Sequence, residues 1–221
     1  MNKKKAIVLL SGGIDSTTTL VYALNQGFEC YAISFDYNQK HKVELDYAKK
    51  IAKKYNVKEH KIIKISIDFI VNTPLVNKNL EVPQYNKISE LPIGLSEVYV
   101  PARNILFLSY AIAWAESLKA PYIFIGANKD DYNGFPDCRP EFYEKFEEMV
   151  NLGTSFVDSK QKLKILTPFI NSTKVEVIKY GIDNGINYDE TFTCYNPINS
   201  KPCGKCSSCL VRKEALEKLI D

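Results

Sequence analysis

Short apolar runs alternate with amphipathic stretches along most of the chain. The runs cover residues 6–10, 29–37, 60–67, 121–127 and 162–169, and their length and composition predict strands. Helical spacing appears between these runs and after the last one, at 15–27, 41–57, 104–120, 140–153 and 173–186. Strands separated by helices pair in parallel through right-handed crossovers. We therefore expect an α/β fold with a doubly wound, mainly parallel sheet flanked by helices.

Two stretches depart from this alternation. Residues 68–100 contain three prolines and no clear period, which predicts an irregular insertion. Residues 104–120 are apolar nearly all round, which predicts a buried helix. We expect two parts, an α/β domain over 1–186 and a small helical C-terminal segment over 187–221.

Composition and charge narrow the class of protein. The chain has 221 residues, of which 45% are hydrophobic and 25% charged, as in ordinary globular proteins. Its net charge of +3 is too small to indicate a nucleic-acid partner. No apolar run approaches the roughly 18 to 20 residues of a membrane helix, and the N-terminal run "AIVLL" has no cleavage site after it. We expect a cytoplasmic protein that binds neither nucleic acid nor membrane directly.

The first predicted strand ends in the loop "SGGIDSTT", residues 11–18. The loop lacks the lysine of the Walker A motif and the spacing of the dinucleotide fingerprint. Gly12 and Gly13 allow a close approach of the backbone to a phosphate, and the N–H groups of the following helix point to the same place. A glycine turn capped by serine or aspartate is the structural alternative. The position after the first strand favours a phosphate cradle.

Four of the six cysteines lie together near the C-terminus. Their spacing is Cys194-x8-Cys203-x2-Cys206-x2-Cys209, which suits a closed tetrahedral zinc site. An iron–sulfur cluster is the alternative, because C-x2-C-x2-C also occurs in ferredoxin-type sequences. In a cytosolic protein a metal is favoured over disulfides. We expect one structural Zn²⁺ per chain.

The loop "SGGIDSTT" resembles the PP-loop of the ATP pyrophosphatase superfamily. Further segments extend the resemblance to the QueC family over essentially the whole chain: "DYNQKHKVEL", "VPARN", "DDYNGFPDCRPEF", "TPF" with Lys174 after it, and the four-cysteine tail. Asn38 and Asn133 stand where this family is expected to have glycine and serine.

The resemblance implies an adenine nucleotide alpha hydrolase-like fold and an ATP-dependent ligase. The implied reaction converts 7-carboxy-7-deazaguanine and ammonia to 7-cyano-7-deazaguanine (preQ0), through an adenylated carboxylate and an amide. The product would serve queuosine or archaeosine biosynthesis. Mg²⁺ is expected to accompany ATP, and the sequence is compatible with a homodimer.

The resemblance and the loop positions together assign the site residues. The residues expected to bind ATP are Leu10, Ser11, Gly12, Gly13, Ile14, Asp15, Ser16, Thr17, Asp36 and Gln39. The residues expected to be catalytic are Asp15, Lys174 and Arg103. A carboxylate accepts two neighbouring N–H groups of a guanine-like ring, so Asp131 or Asp137 is expected to bind the base and Arg139 the substrate carboxylate.

Structural roles compete with some of these assignments. Asp36 could instead stabilise a turn, where aspartate is common. Arg103 could form a structural ion pair, and Lys174 could be an ordinary solvent-exposed lysine. Two other functions compete as well, a PP-loop enzyme that modifies tRNA and a non-catalytic scaffold. The length and the small net charge leave little room for RNA-binding elements, and a scaffold has no need of such polar loops.

Overall fold

The computed structural model describes residues 3–219 and contains one five-stranded parallel sheet. The first two residues of the predicted α/β domain and the last two of the predicted C-terminal segment lie outside the described residues. The strands are β1 (Lys5–Leu9), β2 (Glu29–Asp36), β3 (Glu59–Lys64), β4 (Tyr122–Phe124) and β5 (Lys164–Leu166). Their order is β3-β2-β1-β4-β5, with every neighbouring pair parallel. The predicted doubly wound sheet is confirmed, and its order reverses between β1 and β4.

In the described part of the chain, six α-helices connect and follow these strands. They are α1 (Ile14–Asn25), α2 (Glu44–Lys54), α3 (Arg103–Leu118), α4 (Pro140–Gly153), α5 (Lys174–Asp183) and α6 (Ser207–Glu217). Single 3-10 turns lie at Ile88–Glu90, Lys129–Asp131, Pro136–Cys138, Ser155–Val157 and Tyr188–Glu190. Each predicted helix is present, with ends that differ from the prediction by up to three residues.

The two faces of the sheet pack against different helices. Ile7 of β1 and Ile123 of β4 lie in one cluster with Leu108 of α3. The next residues along these strands, Val8 and Phe124, point to the other face and pack in a cluster with Leu20 of α1. Because both faces are covered, the central strands are apolar without interruption, which is why their sequence lacks alternation.

The expectation that α3 is buried all round is wrong. Leu108, Ala111 and Ala115 are fully buried, but Ile105 and Tyr110 are 42% and 44% exposed. A helix in the outer layer of an α/β fold contacts the sheet with one face only, so apolar residues on its other face remain accessible to solvent.

Residues 68–100 are irregular, as predicted, with one 3-10 turn among them. The segment is nevertheless anchored, because Leu75 and Val100 are fully buried in the main cluster. The N–H of Tyr85 donates to the carbonyl of Lys205 at 2.8 Å. The insertion thus contacts the cysteine-rich segment directly.

Substituting alanine for Gly181 in α5 is expected to destabilise the protein by about 1–3 kcal/mol through overpacking. A Cβ at this position would lie 1.9 Å from the Tyr188 hydroxyl oxygen. Tyr188 is 5% exposed and its hydroxyl lies 2.7 Å from Thr18 Oγ1, so it has no room to move aside. Urea unfolding of this variant should be compared with Gly153→Ala, whose Cβ would meet no atom within 4 Å. Equal stability of the two variants would contradict the packing argument.

Candidate active site

A cleft of about 490 Å³ lies at the carboxyl ends of the strands, where the strand order reverses. Ligands of doubly wound folds bind at this switch point. The walls of the cleft are formed by the loops after β1, β2 and β4 and by the first turns of α3 and α5. Residues 83–98 and the C-terminal segment also contribute. Residues far apart in the sequence therefore face one another across a single opening.

The glycine loop forms the floor of this cleft. Gly12 has φ +89°, and a Cβ there would lie 2.7 Å from the backbone of Glu44 and Ala48, so only glycine fits. The first turn of α1 has no side-chain cap, which leaves its backbone N–H groups available to an anion. The hydroxyls of Ser11 and Ser16 lie 3.0 Å apart. This arrangement suits the binding of phosphate groups.

Behind the loop, side-chain bonds hold its shape. Thr17 Oγ1 donates to the carbonyl of Gly13 at 2.7 Å, and Thr17 is 1% exposed. Gly126, after β4, packs so closely on α1 that a Cβ would lie 2.8 Å from the backbone of Asp15. The close approach of these two segments fixes the position of the Asp15 carboxylate.

One cation and two carboxylates meet beside the loop. Lys174 Nζ, at the start of α5, contacts Asp15 Oδ2 at 2.5 Å. The side-chain amide of Asn128 donates to Asp15 Oδ1 at 3.2 Å and to Asp131 Oδ2 at 2.8 Å. Burial opposes the charge of Lys174, but Asp15 and Asp131 raise its pKa above the ordinary value. Burial raises the pKa of Asp131 to about 6, although Lys174 opposes this shift.

Some of the other predicted site residues line the cleft, and others lie in the structure around it. Leu10, Ile14 and Arg103 line the cleft. Asp36 pairs with Lys42 at 3.0 Å and accepts from the Asn38 N–H. These last contacts hold the turn after β2.

Three other predicted residues have partners in the surrounding structure. Gln39 is buried, and its amide donates to Phe35 O at 3.0 Å and to Glu44 Oε1 at 2.9 Å. Asp137 is buried and accepts from the backbone N–H of Asn104. The exposed Arg139 donates to Tyr132 O at 3.0 Å. These residues lie near the cleft without lining it.

The cleft also contains residues that the sequence analysis did not assign. Glu44, His41, Tyr195 and Arg212 line it. Asn128 joins the two carboxylates although no motif marked it. Glu44 and His41 belong to the segment "DYNQKHKVEL". The presence of a carboxylate and a histidine in a segment that carries the family resemblance could have marked them as candidate site residues.

The four clustered cysteines fit a tetrahedral metal site. Their Sγ atoms lie within 4.8 Å of one another, and Zn–S bonds of about 2.3 Å place sulfur atoms roughly 3.8 Å apart. Backbone N–H groups support the sulfurs, among them Asn196 and Cys203 to Cys194 Sγ at 3.3 and 3.2 Å. Such donors stabilise thiolates, so the residues present suit the binding of a metal.

The cysteine cluster is continuous with the cleft and with the core. Tyr195, next to Cys194 in the chain, lines the cleft, and Phe192 donates its N–H to Gly12 O at 2.8 Å. Cys194 and Cys206 are buried in the main hydrophobic cluster. A metal bound here would fix one wall of the cleft. Within residues 3–219, no helix has the length and apolar character needed to span a membrane.

Solved structures share this fold at low sequence identity. An NMN synthetase from Francisella tularensis superposes with a TM-score of 0.53 at 16% identity, covering 92% of this chain and 70% of that chain. A 4-thiouridine synthetase, in complex with RNA and bound ATP, gives a TM-score of 0.50 at 15% identity, covering 99% of this chain and 51% of that chain. At this identity the likeness supports the fold class alone.

Curated proteins match this chain at much higher sequence identity than these solved structures do. The chain is 49% identical over 213 residues to the 7-cyano-7-deazaguanine synthase of Vesicomyosocius okutanii, covering 96% of this chain and 91% of the relative. It is 46% identical over 215 residues to the synthase of the same name from Acetivibrio thermocellus, covering 97% and 94%. A family model described as "Queuosine biosynthesis protein QueC" matches residues 5–220. From this match over nearly its full length, we conclude that the chain belongs to the QueC family of queuosine biosynthesis proteins.

Proposed function

We propose that the protein is an ATP-dependent ligase that converts 7-carboxy-7-deazaguanine and ammonia to 7-cyano-7-deazaguanine. The observation that carries the proposal is the meeting of the glycine loop, Lys174 and Arg103 in one cleft, in a chain whose relatives are synthases of this product. The nitrile would enter queuosine or archaeosine biosynthesis in the cytoplasm.

The phosphate groups of ATP would bind the glycine loop. Because the loop has no lysine, its N–H groups would hold the β- and γ-phosphates, and Lys174 would meet the charge that develops at the α-phosphate. Asp15 offers a hard oxygen ligand beside the loop, which suits a Mg²⁺ ion bound together with ATP. This division of roles favours attack at the α-phosphate and departure of pyrophosphate.

The deazapurine acid would bind in the same cleft, next to the α-phosphate. Both carboxylates accept one side-chain or backbone N–H through Oδ2, but only Asp131 lines the cleft, so we favour Asp131 over Asp137 for the N–H groups of the base. Arg103 lines the cleft, whereas Arg139 is bonded to the Tyr132 carbonyl outside it. We therefore favour Arg103 for the substrate carboxylate, which a guanidinium binds with two parallel hydrogen bonds.

Adenylation makes the chemistry feasible in one site. A carboxylate oxygen is a poor leaving group until it is bonded to AMP, after which ammonia displaces it to give an amide. A second activation, now of the amide oxygen, would allow loss of that oxygen and leave the nitrile. Amide and carboxylate have nearly the same shape, so the same contacts serve both steps.

A structural zinc would hold the wall formed by the cysteine segment.

The reaction provides the test. The purified protein should be incubated with ATP, ammonium and 7-carboxy-7-deazaguanine, and the products followed by mass spectrometry. We expect the mass of the amide first and of the nitrile later, with neither formed when ATP or ammonium is omitted. Failure to form the nitrile under these conditions would refute the proposed function.

A further inference from the structure

Glu44 is a carboxylate held in a fixed position on the wall of the cleft. It lies in the first turn of α2, and its side chain is 16% exposed. The amide of Gln39 donates to Glu44 Oε1 at 2.9 Å and is itself held by the carbonyl of Phe35. Gln39 is in turn fixed by the turn after β2, because its Oε1 accepts from the backbone N–H of Tyr37 at 2.9 Å.

Among residues 3–219, no lysine or arginine forms an ion pair with this carboxylate. His41 Nε2 lies 3.5 Å from Glu44 Oε2, and burial together with the charge of Arg103 lowers the pKa of His41 to about 3, so the ring is neutral. Nδ1 of this 3% exposed histidine has no hydrogen-bond partner among the described residues. Tyr37 and Tyr195 pack against the ring of His41, with Tyr37 Oη 3.5 Å from His41 Nε2.

These features suit a group that exchanges protons near neutral pH. Burial raises the pKa of Glu44 to about 7, against the opposing hydrogen bond from Gln39 and the charge of Arg103. A general base works best when its pKa is close to the operating pH. The positive charge of Arg103 in the same cleft disfavours an ammonium ion relative to neutral ammonia.

We propose that Glu44 is the general base that takes a proton from ammonium before its nitrogen attacks the adenylated substrate. This role rests on the proposed function. Ammonium has no free electron pair and does not attack carbon, so a base in the cleft that generates ammonia would promote the reaction. The other carboxylates that line the cleft already have partners: Asp15 pairs with Lys174, Asp130 accepts the backbone N–H of Lys174, Asp131 accepts from Asn128, and Glu97 accepts from the Tyr85 hydroxyl.

The step balances without any further reactant. Ammonium gives one proton to the Glu44 carboxylate and becomes ammonia. The nitrogen electron pair forms the C–N bond, and the C–O bond to the adenylate breaks with its electron pair remaining on the phosphate of AMP. The new N–H⁺ group loses its second proton to water, and Glu44 returns its own proton to solvent. The products are the amide, AMP and two protons.

Glu44→Gln is the test, because glutamine keeps the shape and still accepts the hydrogen bond from Gln39. We expect ammonium-dependent amide formation to fall about 10²- to 10⁴-fold, the usual effect of losing a general base. The substrate-dependent exchange of labelled pyrophosphate into ATP should remain near that of the wild type, since adenylation does not involve ammonia. Asp46→Asn, on an exposed position of the same helical turn, is the matched control and should match the wild type in both assays.

Hydroxylamine separates a catalytic from a structural role. It is already neutral at neutral pH, so Glu44→Gln should form the hydroxamate at close to the wild-type rate while failing with ammonium. A wild-type rate of amide formation by the variant would overturn the proposal. Equal loss of exchange, hydroxamate and amide would also overturn it, because Glu44 would then act in binding or folding. If the wild-type protein itself shows no substrate-dependent exchange, the proposed function fails, and the role of Glu44 fails with it.

Discussion

Substituting alanine for Lys174 is expected to slow substrate-dependent pyrophosphate release by about 10²- to 10³-fold, the effect of losing one preorganised charge at a transition state. Lys174 Nζ contacts Asp15 Oδ2 at 2.5 Å beside the glycine loop, and its side chain is 12% exposed. In this sheltered position its charge is screened little by water. Without it, the negative charge of the α-phosphate would lie near Asp15 and Asp131 without the Lys174 ammonium to offset their repulsion.

The control for this experiment lies on the same helix. Lys179 pairs with Asp183 at 3.0 Å, and both side chains are more than half exposed, so Lys179→Ala should leave the rate and stability nearly unchanged. Lys174→Arg retains the charge near Asp15 but changes its geometry, so it should fold like the wild type and remain slow. Pyrophosphate release can be followed with pyrophosphatase and a phosphate assay, and melting curves show whether each variant is folded. A fully active and folded Lys174→Ala variant would exclude Lys174 from the reaction.

Substituting serine for Cys206 is expected to release the metal and lower the Tm by more than about 10 °C. Structural zinc contributes about 10–16 kcal/mol in small zinc-binding peptides, and each kcal/mol lost lowers Tm by about 2–4 °C in a domain of this size. Cys206 is fully buried in the main cluster, and its Sγ lies within 4.8 Å of the other three. The loss would loosen the neighbouring segment with Tyr195, so activity should fall as well.

Metal analysis and calorimetry on the same samples test this prediction. The wild type should contain one zinc per chain and show no visible absorption, whereas an iron–sulfur cluster would colour the protein. Cys30→Ala, a buried thiol on β2 far from the cluster in sequence, is the matched control and should keep its zinc. Loss of zinc from Cys206→Ser with an unchanged Tm would disprove a structural role for the metal.

The strands, the parallel sheet, the glycine loop and the cysteine cluster follow from the sequence alone. Each depends on short-range rules: the apolar run at residues 6–10 favours extended backbone in a buried layer, and the adjacent glycines at 12 and 13 permit conformations that other residues avoid. The cysteine spacing allows one short segment to surround a metal. Such patterns are complete within a few residues, so no tertiary information is needed to recognise them.

Only the tertiary structure decided which polar residues face the cleft. Asp131 and Arg103 line it while Asp137 and Arg139 do not. The sequence left Asp131 and Asp137 as alternatives and favoured Arg139 for the substrate carboxylate. The Asp15–Lys174 contact joins residues 159 positions apart. Likewise, α3 is exposed on one face despite its apolar composition, because the sheet covers only its other side. The orientation of a side chain at such a site depends on how helices and loops from distant parts of the chain pack together, and no local pattern encodes that packing.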